Sequence, residues 1–315
     1  MFFLVGPTAA GKSELAVEVA LRCGAEIVGA DAFQVYKGLD LLTAKPSPGL
    51  RARVPHHLIG EIPLREHFDA ARYRALALER IREIERRGKR ALIVGGTGLY
   101  LRALTRGLSN LPEGNPALRR ELDALPLPLL QEKYAALDPR GMEHIDSKNR
   151  RRLVRAIEVS LLAGAPFSSL RADWSGQSPP PAEASGVVLE RDREHLYARI
   201  DLRVRRMFAD GVVQEVRDAG DAGDAGETAR QAIGYAEIRQ LLQGAIDEPA
   251  CIQAIQQRTR RYAKRQLTWL RAENIFFKLN LTNNPQHEAA GLIAQRFMDA
   301  CGTGGSRPAD FAPDV

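Results

Sequence analysis

The sequence predicts an α/β protein: a parallel sheet flanked by helices on both faces, interrupted by an inserted all-helical subdomain. Three observations carry this expectation. Short apolar runs at "MFFLV", "EIVGAD" and "RALIVGG" alternate with amphipathic stretches of helical period, the pattern of strand–helix–strand units in a parallel sheet. From about 115 to 174 the apolar positions recur only at helical spacing, in "ALRRELDAL", "PLLQEKYAALD" and "SKNRRRLVRAIEVSLLAG". After residue 186 the run "VVLER" resumes the strand pattern, so chain returning from the insertion is expected to complete the sheet.

Taken in order, "MFFLV" is a first core strand, and it lacks the basic n-region of a signal peptide. "KSELAVEVALRCG" is a helix closed at Gly24, and "EIVGAD" a second strand that ends at Asp31. "HFDAARYRALALERIREIERRGK" is a long amphipathic helix stopping at Gly88; "RALIVGG" is a third buried strand, followed by "TGLYLRALTRGL". The expected core is therefore 1–114 together with 187–300, helical beyond "VVLER", with the helical insertion at 115–174. The Pro/Ser/Gly-rich "SGQSPPPAEASG" (175–186) is expected to be a linker, and 301–315 a disordered tail. "DAGDAGDAGE" (218–227) lacks the ligand spacing of an EF-hand loop and is expected to be a flexible surface loop.

The chain has 315 residues, 44% hydrophobic and 27% charged, and no apolar run approaching the length of a membrane span. Three widely spaced cysteines, Cys23, Cys251 and Cys301, argue against a disulfide framework or zinc site and fit a reducing cytoplasm. The net charge of +6 permits a polyanionic partner without requiring one.

"GPTAAGKS" (6–13) matches G-x-x-x-x-G-K-[ST] between a strand and a helix, the P-loop arrangement that binds a phosphoanhydride. Gly6 and Gly11 let backbone N–H groups approach phosphate oxygens across Pro7, Thr8, Ala9 and Ala10, and the helix N-terminus adds partial positive charge. Lys12 supplies a point charge, and the Ser13 hydroxyl is placed to ligate Mg²⁺. Asp31 ends the second strand, where parallel sheets open their ligand crevice. There it could hold a metal, act as a general base or cap the next turn. The pair His56 and His57 lacks a third ligand at suitable spacing and is expected to be structural.

Residues 249–271 hold six basic residues and no acidic one. On a helical projection Ile252, Ile255, Tyr262, Ala263 and Leu270 share one arc, and Arg260, Arg261, Lys264, Arg265 and Arg271 the other. Such a one-sided basic arc suits a phosphate backbone. "KNRRRLVR" (148–155) is a second basic cluster in the insertion, so RNA is expected to lie between the two.

"GPTAAGKS", "DAFQVYKGLDLLTAKP", "PHHLI", "GGTGLY", "RRLVRAIEV", "QAIGYAEI" and "TRRYAKRQLTWLR" stand in the order and spacing of the tRNA dimethylallyltransferase (tRNA isopentenyltransferase) family, which the chain resembles from residue 2 to about 275. The resemblance implies a P-loop NTPase-like core. It implies transfer of the dimethylallyl group from its diphosphate to N6 of the adenosine at tRNA position 37, just 3′ of the anticodon, with Mg²⁺. It also implies a monomer acting in the cytoplasm on the anticodon stem-loop. In that reading the loop residues, Thr97 and Arg203 (Arg199 being the nearby alternative) meet the diphosphate, Asp31 is the general base, and Thr8 lies near the reacting groups. Asp31, Ala32, Phe33, Gln34 and Thr97 contact the tRNA, Gln34 helping to hold the extruded adenine and Thr97, like Thr8, lying near the reacting groups. Arg119, Arg151, Arg152, Arg155, Arg230, Gly234, Tyr235, Arg261, Lys264 and Arg265 are further tRNA contacts. Two positions depart from the family pattern: Ala32 stands where Ser is usual, and Gly60 where Asp is frequent. The rival is a small-molecule kinase or NTPase that would use ATP at the same loop; it would not by itself need the basic faces or the insertion.

Overall fold

The computed structural model describes residues 1–108, 111–170, 185–221, 225–273, 276–300 and 302. Among them, six parallel strands form one sheet: β1 (Phe2–Val5), β2 (Ala25–Ala30), β3 (His56–His57), β4 (Arg90–Gly95), β5 (Ser185–Glu190) and β6 (Phe277–Asn280). Their spatial order is β3-β2-β4-β1-β5-β6. β1 sits between β4 (Leu4↔Val94) and β5 (Leu4↔Val187). All four of its residues are buried, and successive side chains enter opposite faces. Phe3 and Val5 join the core cluster that includes Tyr73, Leu101 and Leu270. Phe2 and Leu4 join the cluster formed with α1 (Lys12–Cys23) and α14 (Gln286–Ala300).

Local chemistry sets the helix ends. α1 closes on Gly24 in the left-handed region, whose N–H returns to the Ala20 carbonyl. α2 (Pro48–Arg53) is capped by Ser47. α3 (Ala70–Arg86) starts later than its amphipathic pattern, because the Asp69 carboxylate accepts the N–H groups of Ala71 (3.0 Å) and Arg72 (2.9 Å). α4 (Gly98–Arg106) follows β4.

The chain divides into two compact units, Met1–Thr105 with Pro181–Val315, and Arg106–Pro180. The second contains α5 (Pro116–Ala124), α6 (Leu127–Leu137), α7 (Pro139–Met142), α8 (Arg150–Ala163) and α9 (Phe167–Leu170). It has its own core of Leu122, Leu130, Tyr134, Leu153 and Ile157. Buried Asp138 ties its ends together by accepting Gly141 N–H (2.8 Å), Ser168 Oγ–H (2.7 Å) and Tyr134 O–H (3.1 Å). The first unit continues with α10 (Arg193–Ala209), α11 (Val212–Asp221), α12 (Tyr235–Leu242) and α13 (Glu248–Ala272).

Two expectations need correction, and one strand falls where no element was expected. β6 lies in chain expected to be helical; it is a four-residue edge strand in which Leu279 is buried while Phe277 and Lys278 are exposed, too short to show a period. β3 is a two-residue strand inside "PHHLI". The 218–227 repeat is not all loop: Asp218–Asp221 form the last turn of α11, where Val216 and Ala219 are buried and hold the helix to the core. Residues 222–224 of the repeat, the expected linker apart from Ser185 and Gly186, and the expected tail apart from Gly302 lie outside the described residues. No helix among the described residues is long and apolar enough to cross a membrane.

Candidate active site

Four loops converge at the carboxyl ends of β1, β2, β4 and β5, and each brings one part of the site. The loop after β1, residues 6–11, wraps the head of α1. Gly6 packs so closely on β5 that a Cβ there would meet the Leu189 carbonyl oxygen at 2.8 Å. Gly11 (φ 99°) makes the left-handed turn into the helix. Ala9 holds φ 64° without being glycine, a conformation that surrounding contacts must enforce.

Those contacts are cationic. Lys12 Nζ donates to the carbonyls of Gly6 (2.9 Å) and Pro7 (2.8 Å). Arg199 Nε donates to Ala9 O (2.8 Å) and Arg191 Nε to Ala10 O (2.8 Å). Arg203 Nη1 reaches Thr8 Oγ1 (3.4 Å). Four loop carbonyls are thereby held by positive side chains. Desolvation pulls the Lys12 pKa down to about 8, with Asp31 partly restoring it and Arg203 opposing. Burial likewise lowers the Arg203 pKa, Glu14 offsetting part of the effect. Ser13 lies half-buried in the first turn of α1. Among the described residues no three His, Cys, Asp or Glu side chains cluster to make a metal site. A cation here would therefore rely on the Ser13 hydroxyl, phosphate oxygens and water, a donor set that suits Mg²⁺.

Asp31 follows β2 and folds its own turn: Oδ1 accepts the N–H groups of Phe33 (2.9 Å) and Gln34 (3.2 Å). Oδ2 takes no hydrogen bond among the described residues. Of the roles left open for Asp31, the turn cap is present, and it leaves the second oxygen available for another. Ala32 N–H donates to Thr97 Oγ1 (3.1 Å). This N–H···O bond is made by the backbone, so the Ala32 departure does not disturb it. Gln34 Nε2 donates to the carbonyls of Thr43 (3.1 Å) and Ala44 (3.0 Å).

Two cavities meet here. One, on the phosphate-loop side, is lined by Gly11, Lys12, Ser13, Gln34 and Gln266. The other is apolar, lined by Phe33, Leu42, Met207, Phe208, Ile233 and Ile255. Thr8, Asp31, Thr43, Ala44 and Arg203 line both. Asp31 therefore stands between a pocket suited to anions and one suited to apolar or aromatic groups.

Three contributors carry no local sequence signal. Gln266, on α13, accepts Thr8 N–H (2.9 Å) and donates to Gly96 O (2.9 Å), tying the phosphate loop to the "GGTG" loop. Arg191 braces Ala10 and also donates to Leu281 O (3.0 Å). Tyr262, placed by projection on an apolar arc, lies beside Thr97 and Asp31; burial and the Asp31 charge push its phenol pKa well up. Of the two histidines, His57 Nε2 meets Glu26 (2.7 Å), and His56 Nδ1 meets the Val54 carbonyl (2.7 Å) while lining the phosphate-side cavity.

The expected RNA contacts divide. Arg261, Lys264 and Arg265 are exposed on α13. Arg260, assigned to the same arc, instead grips Asp201 of α10 with Nε (3.0 Å) and Nη2 (2.6 Å), because the projection shows a face but not what packs against it. Arg230 is exposed. Gly234 caps α12 at φ 100°, where a Cβ would press Leu42 at 2.8 Å, and Tyr235 is buried in the core. In the inserted unit Arg151 and Arg152 are exposed. Arg119 and Arg155 both clasp the fully buried Glu158 at 2.7 Å, and Arg155 also donates to Pro112 O. These two arginines compensate a buried carboxylate before they meet any ligand.

A family model described as IPP transferase matches residues 34–273. The chain belongs to the IPP transferase family. Among its relatives, tRNA dimethylallyltransferase 1 of Citrifermentans bemidjiense is 45% identical over 279 residues, covering 88% of this chain and 90% of that one. The tRNA dimethylallyltransferase of Geobacter metallireducens is 46% identical over 275 residues, covering 85% and 88%. The full-length tRNA isopentenylpyrophosphate transferase of Bacillus halodurans superposes with a TM-score of 0.69 at 32% identity, covering 95% of this chain and 97% of that one. The parallel sheet with its loop-bound helix is the P-loop NTPase-like fold of this family.

Proposed function

We propose that the protein transfers the dimethylallyl group from dimethylallyl diphosphate to N6 of the adenosine at tRNA position 37, releasing diphosphate, and that it works as a monomer in the cytoplasm. The observation that carries this reading is the junction at Asp31, where an anion pocket and an apolar pocket share Thr8, Asp31 and Arg203. An allylic C–O bond breaks as negative charge grows on the diphosphate, and Lys12, Arg203 and the loop N–H groups stabilise that charge. Mg²⁺, held by Ser13 with the diphosphate oxygens, would add neutralising charge when bound. The adenine amine is a weak nucleophile, and Asp31 Oδ2 accepts its proton as the new C–N bond forms. Gln34 and Thr97 help to seat the base, which must leave its stack at a cost of about a few kcal/mol. Arg261, Lys264, Arg265, Arg151, Arg152 and Arg230 are offered to the RNA backbone.

The test is a competition in one tube: protein, Mg²⁺, unmodified tRNA, dimethylallyl diphosphate and ATP, read by nucleoside mass spectrometry with phosphate release followed in parallel. The expected result is a dimethylallyl mass gain on that adenosine with ATP untouched. ATP consumed without gain on RNA would replace this reading with a kinase or NTPase.

A further inference from the structure

The segment 38–46, "GLDLLTAKP", contributes Leu42, Thr43 and Ala44 to the apolar cavity and Thr43, Ala44 and Pro46 to the phosphate-side cavity. Like residues 31–34, it walls both. It has no regular structure, only the turn bonds of Thr43 N–H to Leu39 O (3.3 Å), Ala44 N–H to Leu41 O (3.0 Å) and Lys45 N–H to Asp40 O (3.0 Å), and Ala44 sits at φ 51° without being glycine, so side chains must help to impose its shape. Lys45 Nζ binds the Tyr36 carbonyl and Asp40, and Thr43 Oγ1 donates to Leu39 O (2.6 Å). The remaining hold comes from far away in sequence. Glu215, on α11, accepts the Leu41 N–H with Oε1 (2.8 Å) and the Leu42 N–H with Oε2 (2.8 Å). Both oxygens of one carboxylate thus engage consecutive amides, a bidentate arrangement that fixes position and rotation together.

The consequence reaches Gln34. Its two amide hydrogens are taken by the carbonyls of Thr43 and Ala44, the residues directly after the pair that Glu215 holds. With Nε2 so occupied, the amide cannot flip, and its Oε1, which makes no hydrogen bond among the described residues, remains as an acceptor on a residue that lines the phosphate-side cavity together with Asp31. If the segment shifts, those two carbonyls move and the Gln34 amide loses its orientation.

We propose that Glu215 is a positioning residue for transfer. By clamping the Leu41 and Leu42 amides it fixes the wall shared by the two cavities and orients Gln34 as an acceptor for the nucleobase. The proposal rests on the transferase reading, yet its first readout does not need catalysis.

Glu215→Gln is nearly isosteric, but its amide can accept only one of the two N–H groups and sets a donor against the other. Hydrogen exchange at Leu41 and Leu42 is expected to quicken by about tenfold, with exchange in β1, β4 and α1 unchanged. In single-turnover transfer to tRNA the rate is expected to fall by about tenfold, while affinity for inorganic diphosphate stays within about twofold. Gln34→Ala supplies the discriminating variant. If Glu215 acts through Gln34, adding Glu215→Gln to Gln34→Ala costs little more than Gln34→Ala alone. Unchanged exchange at Leu41 and Leu42 would overturn the clamp. Quickened exchange with fully multiplicative rate losses would overturn the route through Gln34. Absence of transfer by the wild-type protein would instead count against the function and leave the exchange result standing as the test of the clamp.

Discussion

The phosphate loop and helix α13 are both rich in positive charge, and they use it in opposite ways. At the loop, Lys12, Arg191, Arg199 and Arg203 are drawn inward and hydrogen-bonded to the loop's own backbone and to Thr8. Their charges are fixed in direction, and burial strips water from Lys12 and Arg203, lowering the pKa of each. On α13, Arg258 and Arg260 are paired with Glu237 and Asp201, while Arg261, Lys264 and Arg265 extend into solvent. Fixed, desolvated charge suits one compact anion in one geometry. Solvated charge on long side chains suits a polyanion whose contacts are many and individually weak. The two regions should therefore answer to different variables: pH for the loop, salt for the helix.

The largest effect expected from breaking this contrast is at Lys12. Lys12→Met removes the central fixed charge and should weaken inorganic diphosphate binding by roughly 30- to 100-fold, measured by calorimetry, with tRNA affinity nearly unchanged. The pH dependence comes next. Diphosphate needs protonated Lys12, whose pKa lies at about 8 in the unliganded protein. Affinity should hold below pH 8 and fall by up to about tenfold per unit above it, until the anion-raised pKa of the complex is reached. Binding near pH 8.5 should take up a proton, visible as a buffer-dependent enthalpy, and Lys12→Met should abolish both signatures. On the helix, reversing Arg261 and Lys264 together to Glu should weaken tRNA binding by about tenfold and reduce the log–log salt slope by roughly 1.5, while leaving diphosphate binding alone. An unchanged slope would place the RNA elsewhere. The smallest effect is expected at Arg260→Ala, which loses a partly exposed bidentate pair with Asp201. Stability should drop by about 1 kcal/mol, read by denaturant unfolding, with the salt slope unaltered.

What could be read from the sequence follows the same divide. The phosphate loop occupies eight consecutive residues, and Asp31 and Thr97 stand at or just past strand ends, so a linear pattern reveals them. Gln266, Arg191 and Glu215 reach the site only through tertiary packing, the last from 174 positions beyond Leu41, and no local period announces them. The projection of α13 sorted apolar from basic residues correctly, yet it could not show Asp201 facing Arg260 or Glu237 facing Arg258. Nor could the family motifs show that Arg119 and Arg155, expected as tRNA contacts, are each bound to Glu158. Strands β3 and β6 were missed because two- and four-residue edge strands bury too little to leave an alternating signature.

The proposed transfer turns on Asp31, at the junction of the two pockets, as proton acceptor. Asp31→Asn tests it better than Asp31→Ala, because Asn keeps the Oδ1 that caps the turn at Phe33 and Gln34 and loses only the carboxylate's basicity. The decisive measurement is the single-turnover rate of transfer to tRNA by this variant, with equilibrium tRNA affinity measured alongside. A rate loss of about 10²- to 10⁴-fold with affinity within about twofold is the expected result. Affinity falling in proportion to the rate, or a rate left near the wild-type value, would contradict the assignment.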